Sequence, residues 1–477
     1  MARKVSIGDV PPPTFDLDTW ANNYEGTLLL FRLAHVAIRC PQLSRPALAM
    51  AIDFTKKGKD VQTYNRLTEL AAGLELQDLA NVDIDWASRK DEENRRELSK
   101  LEGELRGYKN NLIRESIRMG QEDLAMHHLL TGGPIPDPSN PQSVSNSGYN
   151  AAWQAFGKMR DYCTTPTHIN SMNLRQLYAA LVQAAAAQQA GSSPGVGFSS
   201  VLNHAGRIFR SGVKDEEQSR LTPISHVATG IAHLGMADYR SAADALLKTP
   251  FDYHNMGKVH EIDFEKQVAS ANDVAIYGGL CALATMTREE LVSVVLGGPF
   301  RAFLEQEPHL RKAISEYTTA KYQSCIDTLR RYHSDWSLDL FLGATNPSII
   351  GTHVDRLFAQ IRERSITAYF SSFSEVSLQS LASTFPPASS APDAMEVEVL
   401  DMIESGSLNA RLDVVNGVLI APTQDPRQAT HQAAKKTAEE VERTLQLRLH
   451  KVNMSLAGLE IPKLKGGWDV GRVGNGY

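Results

Sequence analysis

At 477 residues the chain is too long for one hydrophobic core, and its 42% hydrophobic and 22% charged residues are the balance of a soluble globular protein, so two to four packing units are expected unless an extended helical array blurs the count. A formal net charge of -6 argues against general binding to nucleic acid or an anionic membrane. Cys40, Cys163, Cys281 and Cys325 lie far apart among apolar or helical neighbours with no C-x-x-C pair, which suits buried, reduced thiols of a cytosolic or nuclear protein better than a disulfide framework.

The opening residues hold Arg3 and Lys4 and then Pro11-Pro12-Pro13, with no apolar run that reads as a signal peptide; no later run is long and apolar enough to span a bilayer, so a soluble, intracellular protein is expected. From Asp18 a helix carrying Tyr24, Leu28 and Phe31 is expected to run to Cys40-Pro41. Ser44, with Pro46 just inside, opens a second that presents Leu48 and Ile52 and stops at Lys56-Lys57-Gly58; Val61, Tyr64, Leu67 and Leu70 make a third. Short amphipathic helices on short turns bury their faces only by stacking on each other, as in a solenoid.

Asp91 to Met119 interleaves Glu, Lys and Arg around Leu98, Leu101, Leu105, Tyr108, Leu112 and Ile117, a pattern for one long helix whose charged side is a solvated face or a functional groove. Residues 132–148, rich in Pro, Ser, Asn and Gly, and 184–200, passing from Ala/Gln into Gly/Ser, are expected to be flexible insertions. Ile224 to Leu247 has the order of a helix, tight turn, helix pair, with Gly230 and Gly235 allowing close approach; it resembles a tetratricopeptide-type unit, though no well-kept period runs along the chain. A dense helical set follows from Asn272 to Phe341, including a capping box at Thr287 and Glu290, and after Pro347 a long helix carries Leu357 and Ile361.

Between Ile366 and Ile420 the pattern changes. Leu378, Leu381 and Phe385 share a helix face that Pro386-Pro387 ends, Asp393 and Glu396 start a helix bearing Val399, Met402 and Ile403, and Gly406 stops it. Leu408, Ala410 and Leu412 then alternate with Asn409, Arg411 and Asp413, and Asn416-Gly417 offers two positive-φ residues for a tight hairpin into Val418, Leu419 and Ile420. That is the outline of a winged helix. Its only basic residue is Arg411, against Glu375, Asp393, Glu396, Glu398, Asp401, Glu404 and Asp413, so it would repel a phosphate backbone. Two readings stay open for the hairpin: an edge that pairs with another protein's sheet, or a cap on its own domain. Beyond Pro426, Val441, Leu445, Leu449, Val452, Leu456 and Leu459 form an apolar stripe at four- and three-residue spacing, which seeks a partner helix in this chain or in another.

No catalytic or metal-binding constellation stands out. Gly191-Ser192-Ser193-Pro194-Gly195 has the spacing of a nucleophile elbow but no strand before it. His127 and His128 are adjacent and so diverge by about 100° on a helix, His226 and His233 lack completing ligands, and Asp83 and Asp85 lack the Gly and terminal Glu of a calcium loop. No cofactor is expected.

Asp273 to Met286, DVAIYGGLCALATM, resembles a signature segment of the subunit-one family of the COP-nine signalosome, the largest scaffold subunits of that complex. Tyr24-Glu-Gly through Arg39-Cys-Pro41, the run Tyr108 to Arg118 and Arg160-Asp-Tyr-Cys-Thr164 agree with it, and the likeness extends from Phe15 to Leu459, departing at 132–148, at 184–200 and after Leu464. The resemblance implies a mostly α protein: a tail at 1–14, a tetratricopeptide-like helical-repeat arm at 15–265, a PCI domain made of a helical part at 266–365 and a winged helix at 366–422, a C-terminal bundle helix at 423–462 and a flexible tail at 463–477. It further implies a non-catalytic scaffold of the complex that removes Nedd8 from cullin-RING ubiquitin ligases, found in cytoplasm and nucleus; a subunit of the proteasome lid shares the architecture and is the alternative. The zinc isopeptidase of that complex carries an H-x-H motif on another subunit, and this chain has no H-x-H. Carried onto this sequence, Leu408, Ala410, Arg411, Leu412, Asp413, Val418, Leu419 and Ile420 would meet the neighbouring PCI subunits two and three. Val441, Leu445, Leu449, Val452 and Leu456 would enter a shared helical bundle, and the arm from Asp18 to Leu70 would reach partners such as cullin-RING ligases.

Overall fold

The computed structural model describes residues 8, 10–134, 147–189, 194–208, 215–345, 351–386, 393–422 and 426–459. Most of the tail at 1–14, the centre of the insertion at 132–148 and the tail at 463–477 therefore lie outside the described residues. The chain divides into two compact units, residues 1–372 with 381–394 and residues 373–380 with 395–477, so the segment 366–422 expected as one module contributes to both.

The first unit is a stack of helices. The expected single helix from Asp18 is instead two, Leu17–Ala21 and Thr27–Arg39. Asp16 caps the first by accepting from Thr19 N–H, and the chain turns through Gly26 at φ 80°, a left-handed conformation that suits glycine. Ser44–Lys57 and Val61–Gly73 follow, and Leu33, Val36, Leu48, Tyr64 and Leu67 share one core cluster with Leu338 from far along the chain. Asp91 to Met119 is likewise broken into Ile84–Asn110 and Arg114–Leu130. Asn110-Asn111 favours a turn over helix, Leu112 takes φ 52°, and the second helix folds back so that a Cβ on Gly120 would stand 3.1 Å from the Tyr108 ring. Leu105 and Ile117 are buried at this fold-back, while Leu112 is 82% exposed at its tip.

Residues 184–200 are not a soft insertion where they are described. Helices Pro166–Gln189 and Pro194–Ile208 occupy them, with Ala184, Ala185 and Phe198 buried. The small residues serve close packing instead: a Cβ on Gly197 would meet Ala184 Cα at 3.1 Å. The pair Asp215–Gly235 and Tyr239–Leu246 has the expected helix-turn-helix form, and a Cβ on Gly230 or Gly235 would collide with Leu246 or Phe198.

A buried polar clamp ties the early helices to the later ones. Arg32, fully buried in the apolar helix Thr27–Arg39, donates from Nη1 to Asp339 and from Nη2 to Val268 O at 2.9 Å and to Asp273 at 3.4 Å. Tyr24 donates to Asp273 at 2.8 Å and Tyr277 to Asp339 at 2.8 Å, while the guanidinium lies 4.2 Å from the Tyr24 ring centroid. Burial works to raise both carboxyls. Arg32 and the N–H groups of Leu342 and Phe341 nevertheless hold Asp339 below the ordinary value, whereas burial wins at Asp273, farther from Arg32, and its carboxyl is raised. The helix Ala271–Thr285 that supplies Asp273 and Tyr277 starts with a capping box between Ser270 and Asp273, and Thr287 with Glu290 forms the expected one downstream. His353–Phe370 closes the helical run, and Arg362 donates to Phe385 O at 2.9 Å, holding the fully buried Leu381 and Phe385 segment within this unit.

The second unit contains a three-stranded antiparallel sheet, β1 Glu375–Ser377, β2 Arg411–Asp413 and β3 Val418–Ile420, in the order β1-β3-β2. It also contains most of the helix Ala394–Glu404 and the helix Pro426–Leu456.

Candidate subunit interface

The sheet register decides which backbone groups are available to a partner. Val376 pairs with Leu419 and Leu419 with Leu412, so these three stand in one row on one face, with Val376 and Leu419 buried and Leu412 half-buried. Glu375, Ile420 and Arg411 form the neighbouring row on the other face, and all three are exposed. Ala421 N–H donates to Ser374 O at 2.9 Å and Leu378 N–H to Gly417 O at 2.8 Å, which fixes the hydrogen-bonding alternation between β1 and β3. By that alternation Leu419 bonds β1, Val418 and Ile420 bond β2, and the N–H and C=O of Leu412 point away from the sheet at its β2 edge.

Three expectations change here. Leu408, expected on the hairpin, lies before it: 2% exposed, it donates its N–H to Met402 O at 3.0 Å and packs as part of the turn after Gly406. The turn is not a two-residue Asn416-Gly417 loop, because of that pair only Gly417 has positive φ; Val414 to Gly417 make a four-residue loop held by Asp413, which accepts from Val415 N–H, Asn416 N–H and Asn416 Nδ2. Those donors hold the Asp413 carboxyl below its ordinary value, Asn416 foremost. And β3 is not an edge. Val418, Leu419 and Ile420 already have strands on both sides, because Glu375–Ser377 forms a strand that sequence reading missed. Three residues, only one of them buried, carry too little alternation to register as a strand; the signal was Val376 flanked by polar residues just ahead of a helix. Ala410 is half-buried and Arg411 exposed.

Around the sheet, Val399 and Met402 of the helix Ala394–Glu404 are buried and Ile403 is half-buried, while Val397 and Leu400 are exposed at 54% and 38% on the same acidic helix. Val414 and Val415 stand exposed at the loop tip, Val415 at 93%. The acidic balance and this exposed apolar surface fit a protein partner better than a phosphate backbone.

The C-terminal helix is the larger feature. Pro426–Leu456 spans 31 residues, and every residue from 430 to 459 is exposed. Val441, Leu445, Leu449 and Val452 are 53%, 58%, 60% and 54% exposed, and Leu456 and Leu459 more so. The stripe thus has no partner within the described residues of its own chain. At 1.5 Å per residue the helix is about 46 Å long and the stripe from Val441 to Leu456 takes up about 23 Å of it, and an apolar stripe of that length left in water is a strong driver of association.

Among the described residues no group of three or more His, Cys, Asp and Glu side chains is placed to hold a metal. Asp83 is the N-cap of Ile84–Asn110, accepting from Trp86 N–H at 3.1 Å. His127 and His128 rings diverge with centroids 6.1 Å apart. Of the nucleophile-elbow pattern, 191–193 lie outside the described residues and Pro194 begins a helix. Among the described residues no helix is long and apolar enough to cross a membrane.

Comparison with known proteins gives two family matches, 26S proteasome subunit RPN7 over residues 83–133 and 147–293 and PCI domain over residues 329–423. Similar curated proteins include the COP9 signalosome complex subunit 1 of Emericella nidulans, 34% identical across 95% of this chain and 84% of that protein. The subunit 1 proteins of Neurospora crassa and Arabidopsis thaliana are 34% and 29% identical over 90% and 92% of this chain, covering 88% and 89% of their own lengths.

Proposed function

The chain belongs to the family of COP9 signalosome complex subunit 1, a helical arm followed by a PCI domain, and from that premise we propose that it acts as a non-catalytic scaffold in the complex that removes Nedd8 from cullin-RING ligases. The observation that carries the reading is the C-terminal helix, with Leu445, Leu449 and Val452 each more than half exposed and no partner among the described residues. That helix enters a bundle made with other signalosome subunits. The outer edge of β2, where Leu412 turns its N–H and C=O outward, adds to the sheet of a neighbouring PCI subunit, subunit two or three. The arm from Asp18 to Leu70 reaches cullin-RING ligases. Four free cysteines, three of them buried, support residence in the reducing cytoplasm and nucleus.

Co-expression with subunits two and three tests this. The proposal expects a stable complex, faster Nedd8–cullin cleavage once the full set is assembled, and no turnover by this chain alone. The match to RPN7 favours one alternative, a proteasome-lid subunit; recovery with proteasome particles and without cullin-deneddylating activity would establish that alternative instead.

A further inference from the structure

The C-terminal helix Pro426–Leu456 changes character along its length. Its first fifteen residues, to Glu440, hold no Leu, Ile, Val, Met, Phe, Tyr or Trp, whereas six of the twelve from Leu445 to Leu456 are Leu, Val or Met. Those six do not share one face. At about 100° per residue, Leu449, Val452 and Leu456 fall within roughly 40° of Leu445, but Leu447 and Met454 fall about 160° to 180° away, on the opposite side. They are 63% and 52% exposed, as open to water as the stripe itself.

Charge changes with them. From Pro426 to Glu442, Arg427, Lys435 and Lys436 stand against Glu439, Glu440 and Glu442, and Lys435 reaches Glu439 at 3.9 Å. From Arg443 to Leu456 the sequence has no carboxylate side chain, and Arg443, Arg448 and Lys451 have no ion pair among the described residues. Arg443 and Lys451 lie one turn before and one turn after Leu447, so cations edge the second apolar face. A basic helix with a single apolar face suits an anionic membrane surface, where its other face stays polar and wet. Here the other face carries Leu447 and Met454, which a bilayer surface would leave in water. Apolar residues on opposite sides call for neighbours on opposite sides.

Given the bundle proposed for this helix, on which the inference rests, we infer that the stretch from Arg443 to Leu456 is enclosed on two sides. The stripe packs on one partner helix, and Leu447 and Met454 pack on a second, an amphipathic helix of a partner subunit whose apolar residues are flanked by Asp or Glu. The polar half before it stays outside the bundle as a solvated stalk. The second neighbour is a helix because the face from Arg443 to Met454 runs about 17 Å along the axis, a seam in which charges beside the apolar residues choose the partner. It is acidic because a neighbour without carboxylates would bury Arg443 and Lys451 unpaired. A second copy of the same stretch would set cation against cation.

The test places one cysteine at a time in the full chain, as Leu447→Cys, Met454→Cys, Leu449→Cys or Lys436→Cys, and compares its alkylation by N-ethylmaleimide in the reconstituted signalosome and in the free chain. The mass of the peptide bearing each position reads the rate, so other cysteines do not interfere. Leu447→Cys, Met454→Cys and Leu449→Cys should each react about tenfold or more slowly in the particle. Lys436→Cys, on the same side as Leu447 but in the polar half, should react equally in both. Slowing at Leu449→Cys without slowing at Leu447→Cys and Met454→Cys would overturn the inference and leave the bundle reading standing; no slowing at any of the three would overturn both. Arg443→Glu with Lys451→Glu should weaken incorporation by about tenfold or more, and Lys436→Glu should not. Incorporation of the double variant equal to its parent would overturn the acidic partner. Sedimentation of the free chain with phosphatidylserine vesicles, lost in the double variant, together with a reactive Leu447→Cys in the particle, would assign the basic stretch to a membrane instead.

Discussion

Replacing Arg32 by Met removes the only cation from the clamp while keeping an apolar stem of similar length. The three side chains are 1%, 10% and 13% exposed for Arg32, Asp273 and Asp339, so solvent does little to compensate. Stripping one partner from a buried charge cluster costs about 3 to 5 kcal/mol. The lower figure is expected here, because Asp339 keeps Tyr277 O–H and the N–H groups of Phe341 and Leu342, and Asp273 keeps Tyr24 O–H and Ser270 N–H. In the parent, Asp339 is held below its unfolded value, so its contribution is present above that value and is lost as pH falls. Without Arg32 both carboxyls are raised by burial, so the penalty is absent in acid and grows as pH rises toward neutral. Urea unfolding of Arg32→Met should therefore show a deficit of about 3 kcal/mol at pH 7 that shrinks toward pH 4. Adding Asp273→Asn and Asp339→Asn should recover most of it, since removing all partners leaves no buried charge. An Arg32→Met protein as stable as its parent at pH 7, or a deficit independent of pH, would refute the reasoning.

Three further outcomes follow from the geometry. Leu445→Lys with Leu449→Lys should leave the unfolding midpoint of the isolated chain within about 0.5 kcal/mol of the parent, because both positions are exposed, yet should abolish co-assembly on gel filtration by placing two charges in a buried seam. Leu412→Pro removes an outward N–H and spares the ladder, so it should weaken pull-down of a neighbouring PCI subunit while the circular dichroism of the chain is kept; Leu419→Pro, on the central strand, should disorder the sheet itself. Glu307, raised by burial from 4.5 to about 7, lowers stability as pH rises through that interval, so Glu307→Gln should stabilise the chain by about 3 kcal/mol at pH 8 and by nothing below the unfolded carboxyl range, measured by urea midpoints.

Where the sequence carried a local rule, it was legible: the Thr287 and Glu290 capping box, the stop at Gly406 and the Gly230/Gly235 helix pair stand as read. Errors came where tertiary packing used the same residues differently. Ala/Gly-rich 184–200 reads as soft, yet small residues there let two helices touch. Asn110-Asn111 was a turn signal hidden inside an otherwise helical charge pattern. Strand Glu375–Ser377 was too short for periodicity, and missing it turned the central strand β3 into an apparent edge. The clamp left one clue, Arg32 as the lone charge inside Leu28-Leu-Leu-Phe-Arg-Leu-Ala-His-Val36, since a charge on an apolar helix needs a buried partner. Its partners Asp273 and Asp339 lie more than 240 residues away, and no local pattern names them.

The most direct measurement is the native mass of the signalosome reconstituted from purified subunits with this chain either whole or ending at residue 422. The account predicts that the whole chain yields the full assembly, whereas the shortened one folds but is absent from the particle. Entry of the shortened chain at unchanged stoichiometry would contradict the claim that the exposed C-terminal stripe is what joins this protein to its partners.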